Sequence, residues 1–213
     1  MLFFDNLLLS LARVIRLSSF LYQDLGLATP VFNSFVPINL VLKFDGFIFL
    51  KRFVKKFSLS EDDLGHLCNY CRQIDIDFAS TPYSTSEVDY LLNDCNVPFI
   101  KIASMEINNH DFLKYIASKE TAIILSTGMS TYDEIKEAVD VIAKAGNKNI
   151  AVLHCKSIYP LSPDQANLNN IIKLRDILLD IPIGYSDHTS GIEAAVASAA
   201  LGCPIIEKHF TLD

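Results

Sequence analysis

The chain has 213 residues, 50% hydrophobic and 20% charged, with a net charge of −7. That length and apolar content suit one sizeable globular core and exclude a disordered chain. The acidic balance, with no Lys/Arg block, argues against nucleic acid or an anionic membrane as the main partner. It leaves room for a small anionic substrate in a locally basic site.

Residues 1–56 are strongly apolar, as in Met1-Leu2-Phe3-Phe4 and Phe47-Ile48-Phe49-Leu50. The uncharged run 25–42 contains Pro30, Asn33, Pro37 and Asn39. These suit neither a membrane helix nor a clean strand. Residues 1–12 are too short to span a bilayer, and no signal-cleavage pattern follows them. The segment 1–56 stays unassigned.

From residue 57 the pattern becomes regular. Ser60 can cap a helix whose first turn holds Glu61, Asp62 and Asp63, acids that suit the positive helix end. Leu64, Leu67, Cys68 and Cys71 recur at helical spacing and mark its buried face. Strands are predicted at 75–80, 98–104, 121–126, 149–155, 182–186 and 204–209. Between them fall helices at 86–93, 111–118, 168–179 and 192–201. A further helix is opened by a Thr131/Glu134 capping box and ended by Gly146.

Short, apolar, β-branched strands alternating with helices are the signature of parallel βα units. A doubly wound sheet and a (β/α)8 barrel, the TIM-barrel type, both fit. The barrel is favoured for two reasons. There is no Gly-x-Gly-x-x-Gly turn, and every strand runs into a polar group, as in a site ringed by strand ends.

The five cysteines are odd in number and lie within predicted elements, which suits a reducing, cytoplasmic compartment. Cys68-Asn69-Tyr70-Cys71 has C-x-x-C spacing, but its place in an amphipathic helix reads as packing.

In a barrel the C-terminal strand ends share one mouth. Collected there are the cations Lys101 and Lys208, the acids Glu106, Asp187 and Glu207, a ring of hydroxyls, and His188 with His209. Hydroxyls, a lysine and helix N-termini suit a phosphate or carboxylate. Lys101 lies in an apolar strand, where an unpaired charge is costly, and this favours a functional role. Ser104, Ser126 and Ser186 could equally be helix caps. His154 alternates with Val152 and reads as structural, and His66 and His110 read as solvated. His188 and His209 sit at the ends of neighbouring strands and suit a divalent metal acting as Lewis acid. Their other reading is one cap and one core histidine.

Six segments carry a resemblance. They are Phe78-Ala79-Ser80-Thr81-Pro82-Tyr83, Phe99-Ile100-Lys101-Ile102-Ala103-Ser104, Ile124-Leu125-Ser126-Thr127-Gly128-Met129, Leu153-His154-Cys155-Lys156-Ser157-Ile158-Tyr159-Pro160, Gly184-Tyr185-Ser186-Asp187-His188-Thr189 and Glu207-Lys208-His209-Phe210-Thr211-Leu212-Asp213. In this order they resemble successive strand ends of the sialic acid synthase family. That family comprises the N-acetylneuraminate synthases and their legionaminate and pseudaminate relatives.

The resemblance, over residues 57–213, implies a TIM barrel that condenses phosphoenolpyruvate with an N-acylated amino sugar such as N-acetylmannosamine. The products are a nine-carbon 2-keto sugar acid and phosphate. It implies Mn or Mg held by His188 and His209. Phosphoenolpyruvate contacts fall on Thr81, Lys101, Ser104, Ser126, Ser157 and Ser186. Glu106 matches an acid that contacts the sugar, and with Lys101 it is the expected catalytic pair. Members of the family are homodimers.

Segments resembling the first two barrel strands are not found in 1–56, and no antifreeze-like C-terminal domain follows the last strand. The chain therefore reads as an incomplete barrel, a truncated member of this family. The alternative is a non-catalytic remnant that at most binds metal or phosphate. A nucleotide-binding oxidoreductase is disfavoured by the lack of a glycine-rich fingerprint.

Overall fold

The structure is a computed structural model and describes residues 59–210. The apolar segment 1–56, and Thr211, Leu212 and Asp213 of the last motif, lie outside them.

The first described helix is α1 (Glu61–Gln73). Ser60 accepts from the Asp63 backbone N–H, and the Asp63 carboxylate accepts from the Ser60 backbone N–H. Such reciprocal caps stabilise a helix end by about 1 kcal/mol. Leu67, Cys68 and Cys71 are its buried face, as their spacing predicts. Then come α2 (Thr85–Asn93), β1 (Phe99–Ile102), α3 (His110–Ala117) and β2 (Ala122–Ser126). They are followed by α4 (Tyr132–Lys144), β3 (Ile150–Cys155), α5 (Asn169–Ile177), β4 (Ile183–Asp187), α6 (Glu193–Ala200) and β5 (Ile206–Lys208). The Thr131/Glu134 capping box opens α4, and Gly146 takes a φ of +98° just past its end.

One predicted strand is not formed. Residues 75–80 carry no ladder among the described residues, where β1 pairs with β2. Two local features account for this. Asp75 is in the left-handed region (φ 56°), which breaks an extended run at its start. Ile76 then spends its N–H on the Cys71 carbonyl at the end of α1 (2.9 Å). Strand-like alternation survives nonetheless. Phe78 packs with the core under the helices, and Ala79 packs on the opposite face of the sheet.

The five strands form one all-parallel sheet in the order β1-β2-β3-β4-β5. Alternation splits its residues cleanly. Ile100, Ile102, Ile123, Leu125, Ile150, Val152, Ile183 and Tyr185 join helix residues such as Leu113, Ile116, Ile142 and Leu174 in the main core. Phe99, Ala122, Ile124, Ala151, Leu153 and Ile205 form a separate cluster with no helix residue in it. Among the described residues helices therefore cover one face alone, and the strand order does not reverse. A doubly wound sheet would need helices on both faces and a reversal. The architecture is a parallel half barrel.

Among the described residues no helix is long and apolar enough to cross a membrane. All five cysteines are free thiols. Cys68 and Cys71 are buried, in keeping with a packing role for the C-x-x-C spacing.

Candidate functional site at the strand ends

The inner face ends in polar side chains on every strand. Lys101 on β1 reaches across to Ser126 on β2, donating from Nζ to Oγ (2.7 Å). The same ammonium lies 3.3 Å from Glu207 Oε2 on β5. That oxygen is buried and out of hydrogen-bond alignment, so the contact is ionic and leaves acceptor capacity unused. One cation thus ties three strands together at the mouth.

Beyond β2 the chain turns at Thr127-Gly128. Thr127 donates to the Leu153 carbonyl (2.9 Å), which holds the turn against β3. The Gly128 N–H donates to Ser104 Oγ (2.8 Å). Gly128 has no room for a side chain: a Cβ there would strike Ser157 Oγ, stand 3.0 Å from Ser104 Oγ and 3.3 Å from Cys155 Sγ. The glycine lets backbone approach three polar side chains closely. Cys155 faces the same space, beside Ser104 and Ser186, and burial pushes its thiol up.

His188 follows β4 and is buried. Its Nδ1–H donates to the Lys156 carbonyl (2.6 Å). This fixes the tautomer and leaves Nε2 unprotonated, its lone pair accepting from the Ser186 hydroxyl at 3.4 Å. Burial holds the imidazole below its usual range, so it is neutral at physiological pH. His209, exposed just past β5, has its ring centroid 5.4 Å from that of His188. Tyr159 packs against both rings, at 4.0 and 5.7 Å. Its hydroxyl is pushed up to about 12 by burial, so it stays a neutral phenol.

The structure thus brings together Lys101, Ser104, Ser126, Ser157, Ser186, His188 and His209. Thr81 is half-buried and makes no hydrogen bond to this group among the described residues. Glu106 lies on a single 3-10 turn (Ser104–Glu106), where its carboxylate accepts from Asn109 (2.8 Å).

Two mouth residues expected from the sequence are elsewhere. Lys208 and Asp187 point to the outer face, because each is one residue out of phase with the inward Glu207, His209, Ser186 and His188. There Lys208 Nζ meets Asp187 Oδ2 at 2.7 Å. Burial opposes ionisation of Asp187, but bonds from Lys208 and Thr189 outweigh it and hold the carboxyl below its ordinary value. His154 is buried on the outer face and donates from Nε2 to the Ala166 carbonyl (2.9 Å), as a structural histidine. His66 is exposed, whereas His110 is half-buried with Nδ1 3.9 Å from Glu137.

Residues 49–213 match the NeuB family. The chain belongs to that family. It is 43% identical over 162 residues to the N,N'-diacetyllegionaminic acid synthase of Campylobacter jejuni, covering 75% of this chain and 48% of that protein. It is 37% identical over 159 residues to the N-acetylneuraminate-9-phosphate synthase of Mus musculus, covering 75% and 44%. A solved N-acetylneuraminic acid (sialic acid) synthetase of Leptospira borgpetersenii superposes with a TM-score of 0.73 at 33% identity, over 82% of this chain and 60% of that one. The chain spans about half the length of the curated NeuB relatives it matches.

A divalent metal is the cofactor this family implies. Among the described residues no group of three or more His, Cys, Asp or Glu is placed to hold one. The donor set is two imidazoles, one with its tautomer locked and its lone pair facing the mouth. Two nitrogen ligands with open positions fit a cation that must also take a substrate oxygen.

Most of the residues brought together here stand at the ends of the sequence motifs. Glu207 was collected at the mouth without a role, and its buried, unaligned oxygen could be found only in three dimensions. Tyr159 lies in a loop with no periodicity to mark it. Its signal is its place inside the Leu153–Pro160 motif.

Proposed function

We propose that this chain is the phosphoenolpyruvate- and metal-binding part of a sugar-acid synthase. The reaction condenses phosphoenolpyruvate with an N-acylated amino sugar such as N-acetylmannosamine, giving a nine-carbon 2-keto sugar acid and phosphate. One observation carries the reading: Lys101, Ser104, Ser126, Ser186 and the Gly128 N–H converge beside the His188/His209 pair at one mouth. The names of the relatives, synthases of legionaminic acid and of N-acetylneuraminate 9-phosphate, support the product class.

In this reading Lys101 and the hydroxyls hold the phosphate and carboxylate of phosphoenolpyruvate. That orients its enol carbon toward the open-chain sugar aldehyde. His188 and His209 would hold a divalent cation, which would supply Lewis acidity at the aldehyde oxygen. Imidazole ligands favour Mn over Mg. Attack forms the new C–C bond as the aldehyde π bond breaks onto its oxygen, which takes a proton. Water adds at the neighbouring cationic carbon. That carbon then becomes the ketone as its C–O bond to phosphate breaks and its hydroxyl proton passes to the leaving phosphate. Glu207, beside Lys101, is placed to accept a proton from that water. Glu106 and Thr81 supply sugar and phosphoenolpyruvate contacts from the rim. The free thiols suit a cytoplasmic setting.

The test is calorimetric titration of the chain with phosphoenolpyruvate and with Mn2+, alongside phosphate release with N-acetylmannosamine. Binding of both ligands, lost in Lys101→Met and in His188→Ala/His209→Ala respectively, supports the reading. Absence of both binding events overturns it. A second reading, a non-catalytic binder, is separated from the first by the same assay. Binding without phosphate release selects it.

A further inference from the structure

We infer that the buried ion pair Asp187–Lys208, on the outer face of the sheet, positions His188 and His209 on the inner face. This rests on the metal-site reading above. Each member of the pair immediately precedes one of the histidines, and the two are Cα partners in the β4–β5 ladder. Strand alternation turns the acid and the lysine outward and the two imidazoles inward.

The outward side is tightly held. Lys208 Nζ donates to Asp187 Oδ2 (2.7 Å) and to the Thr189 carbonyl (2.8 Å). Asp187 Oδ1 accepts from the Thr189 N–H (2.9 Å), the Thr189 hydroxyl (2.8 Å) and the Tyr185 hydroxyl (3.3 Å). The Asp187 side chain is 0% exposed and that of Lys208 21%. The carboxylate therefore braces the residues on both sides of His188, and the ammonium fastens the end of β5 to that brace.

The two histidines need this hold unequally. The His188 ring is tied to the Lys156 carbonyl. The His209 ring makes no hydrogen bond among the described residues and rests against Tyr159 and His188. Its distance from His188 is set by its backbone, which the β4–β5 ladder holds as far as Lys208 and the Lys208 ammonium fastens at the ladder's last pair. Such a pair contributes little net stability; its role here is to hold one geometry, which is what two ligands of one cation require.

The experiment uses the full chain with Asp187→Asn/Lys208→Met, which removes both charges together. A single change at Lys208 would strand a buried carboxylate. Asp187→Asn alone, in which Lys208 turns to solvent, is a second and milder variant. Circular dichroism establishes that each is folded. Two readouts follow: the NOE between His188 and His209 ring protons in metal-free protein, and the Mn2+ affinity. Both variants are expected to lose the ring NOE and to raise the Mn2+ Kd, by about 10–100-fold in the double variant. Lys208→Arg, which keeps a cationic donor, and Asp89→Asn/Lys119→Met, which neutralises a pair remote from the site, are expected to retain both signals. A folded double variant with its ring NOE intact overturns the inference, whatever its Mn2+ affinity. Loss of the NOE in a chain whose native form does not bind Mn2+ removes the metal reading and supports the positioning role.

Discussion

His188 Nδ1 lies 2.6 Å from the Lys156 carbonyl oxygen, and this single contact decides what the imidazole can do. A carbonyl only accepts, so Nδ1 carries the proton and Nε2 faces the mouth as a lone pair. Nitrogen-15 NMR of the histidine-labelled chain near neutral pH is expected to report a protonated Nδ1 and a bare Nε2 at His188. A protonated Nε2 would remove the donor on which the metal reading depends.

Gly128→Ala is expected to destabilise the chain by about 1–3 kcal/mol, the range for overpacking a filled site. The added methyl would strike Ser157 Oγ and crowd Ser104 and Cys155. Ser157→Ala removes the worst obstacle, so Gly128→Ala/Ser157→Ala should recover most of the loss. Urea denaturation of the double-mutant cycle is the check. Effects additive to within about 0.5 kcal/mol would show that the two residues do not meet.

Lys101→Met is expected to weaken phosphoenolpyruvate binding by roughly 10- to 100-fold, from a charged hydrogen bond worth about 1.5–3 kcal/mol. It also leaves the buried Glu207 oxygen without its cation, so stability falls as well. The two effects separate in Lys101→Met/Glu207→Gln. Stability should return there, while ligand affinity stays low. Calorimetry showing native affinity in the double variant would assign the anion site elsewhere.

Local chemistry that depends on a few adjacent residues was legible before any coordinates. The Thr131/Glu134 box and the Gly146 terminus are short-range patterns, and both occur where expected. The strand at 75–80 was misread because apolar spacing says nothing about a ladder partner, and the Asp75 turn and the Ile76 bond to α1 are not visible in hydropathy. Lys208 and Asp187 were placed at the mouth because both stand beside mouth residues in sequence. Strict counting by twos from His209 and His188 would have sent them outward. Contacts such as Lys101 with Glu207 join β1 to β5, the two ends of the described sheet, and curvature of that kind is not written in any one segment.

Stability should fall in mild acid through the buried histidines. Burial holds His154 below its ordinary value of 6.5, with the Ala166 carbonyl bond acting in the opposite sense. The unfolded chain takes up a proton near pH 6.5, and the folded chain resists until lower pH. Between those points the unfolded state binds more protons, so stability rises with pH and is lost as pH falls from about 6.5 toward the folded-state value. His188 is depressed by the same cause and adds to the same slope. His154→Gln keeps an N–H donor for Ala166 but cannot titrate. Its melting temperature should depend less on pH between about pH 6.5 and about pH 5 than that of the native chain, with part of the slope remaining from His188. An additional His188→Gln change should flatten the profile further. An unaltered slope in both variants would mean that other groups govern acid sensitivity, and that His154 is not held neutral by its burial beside Ala166 and Tyr185.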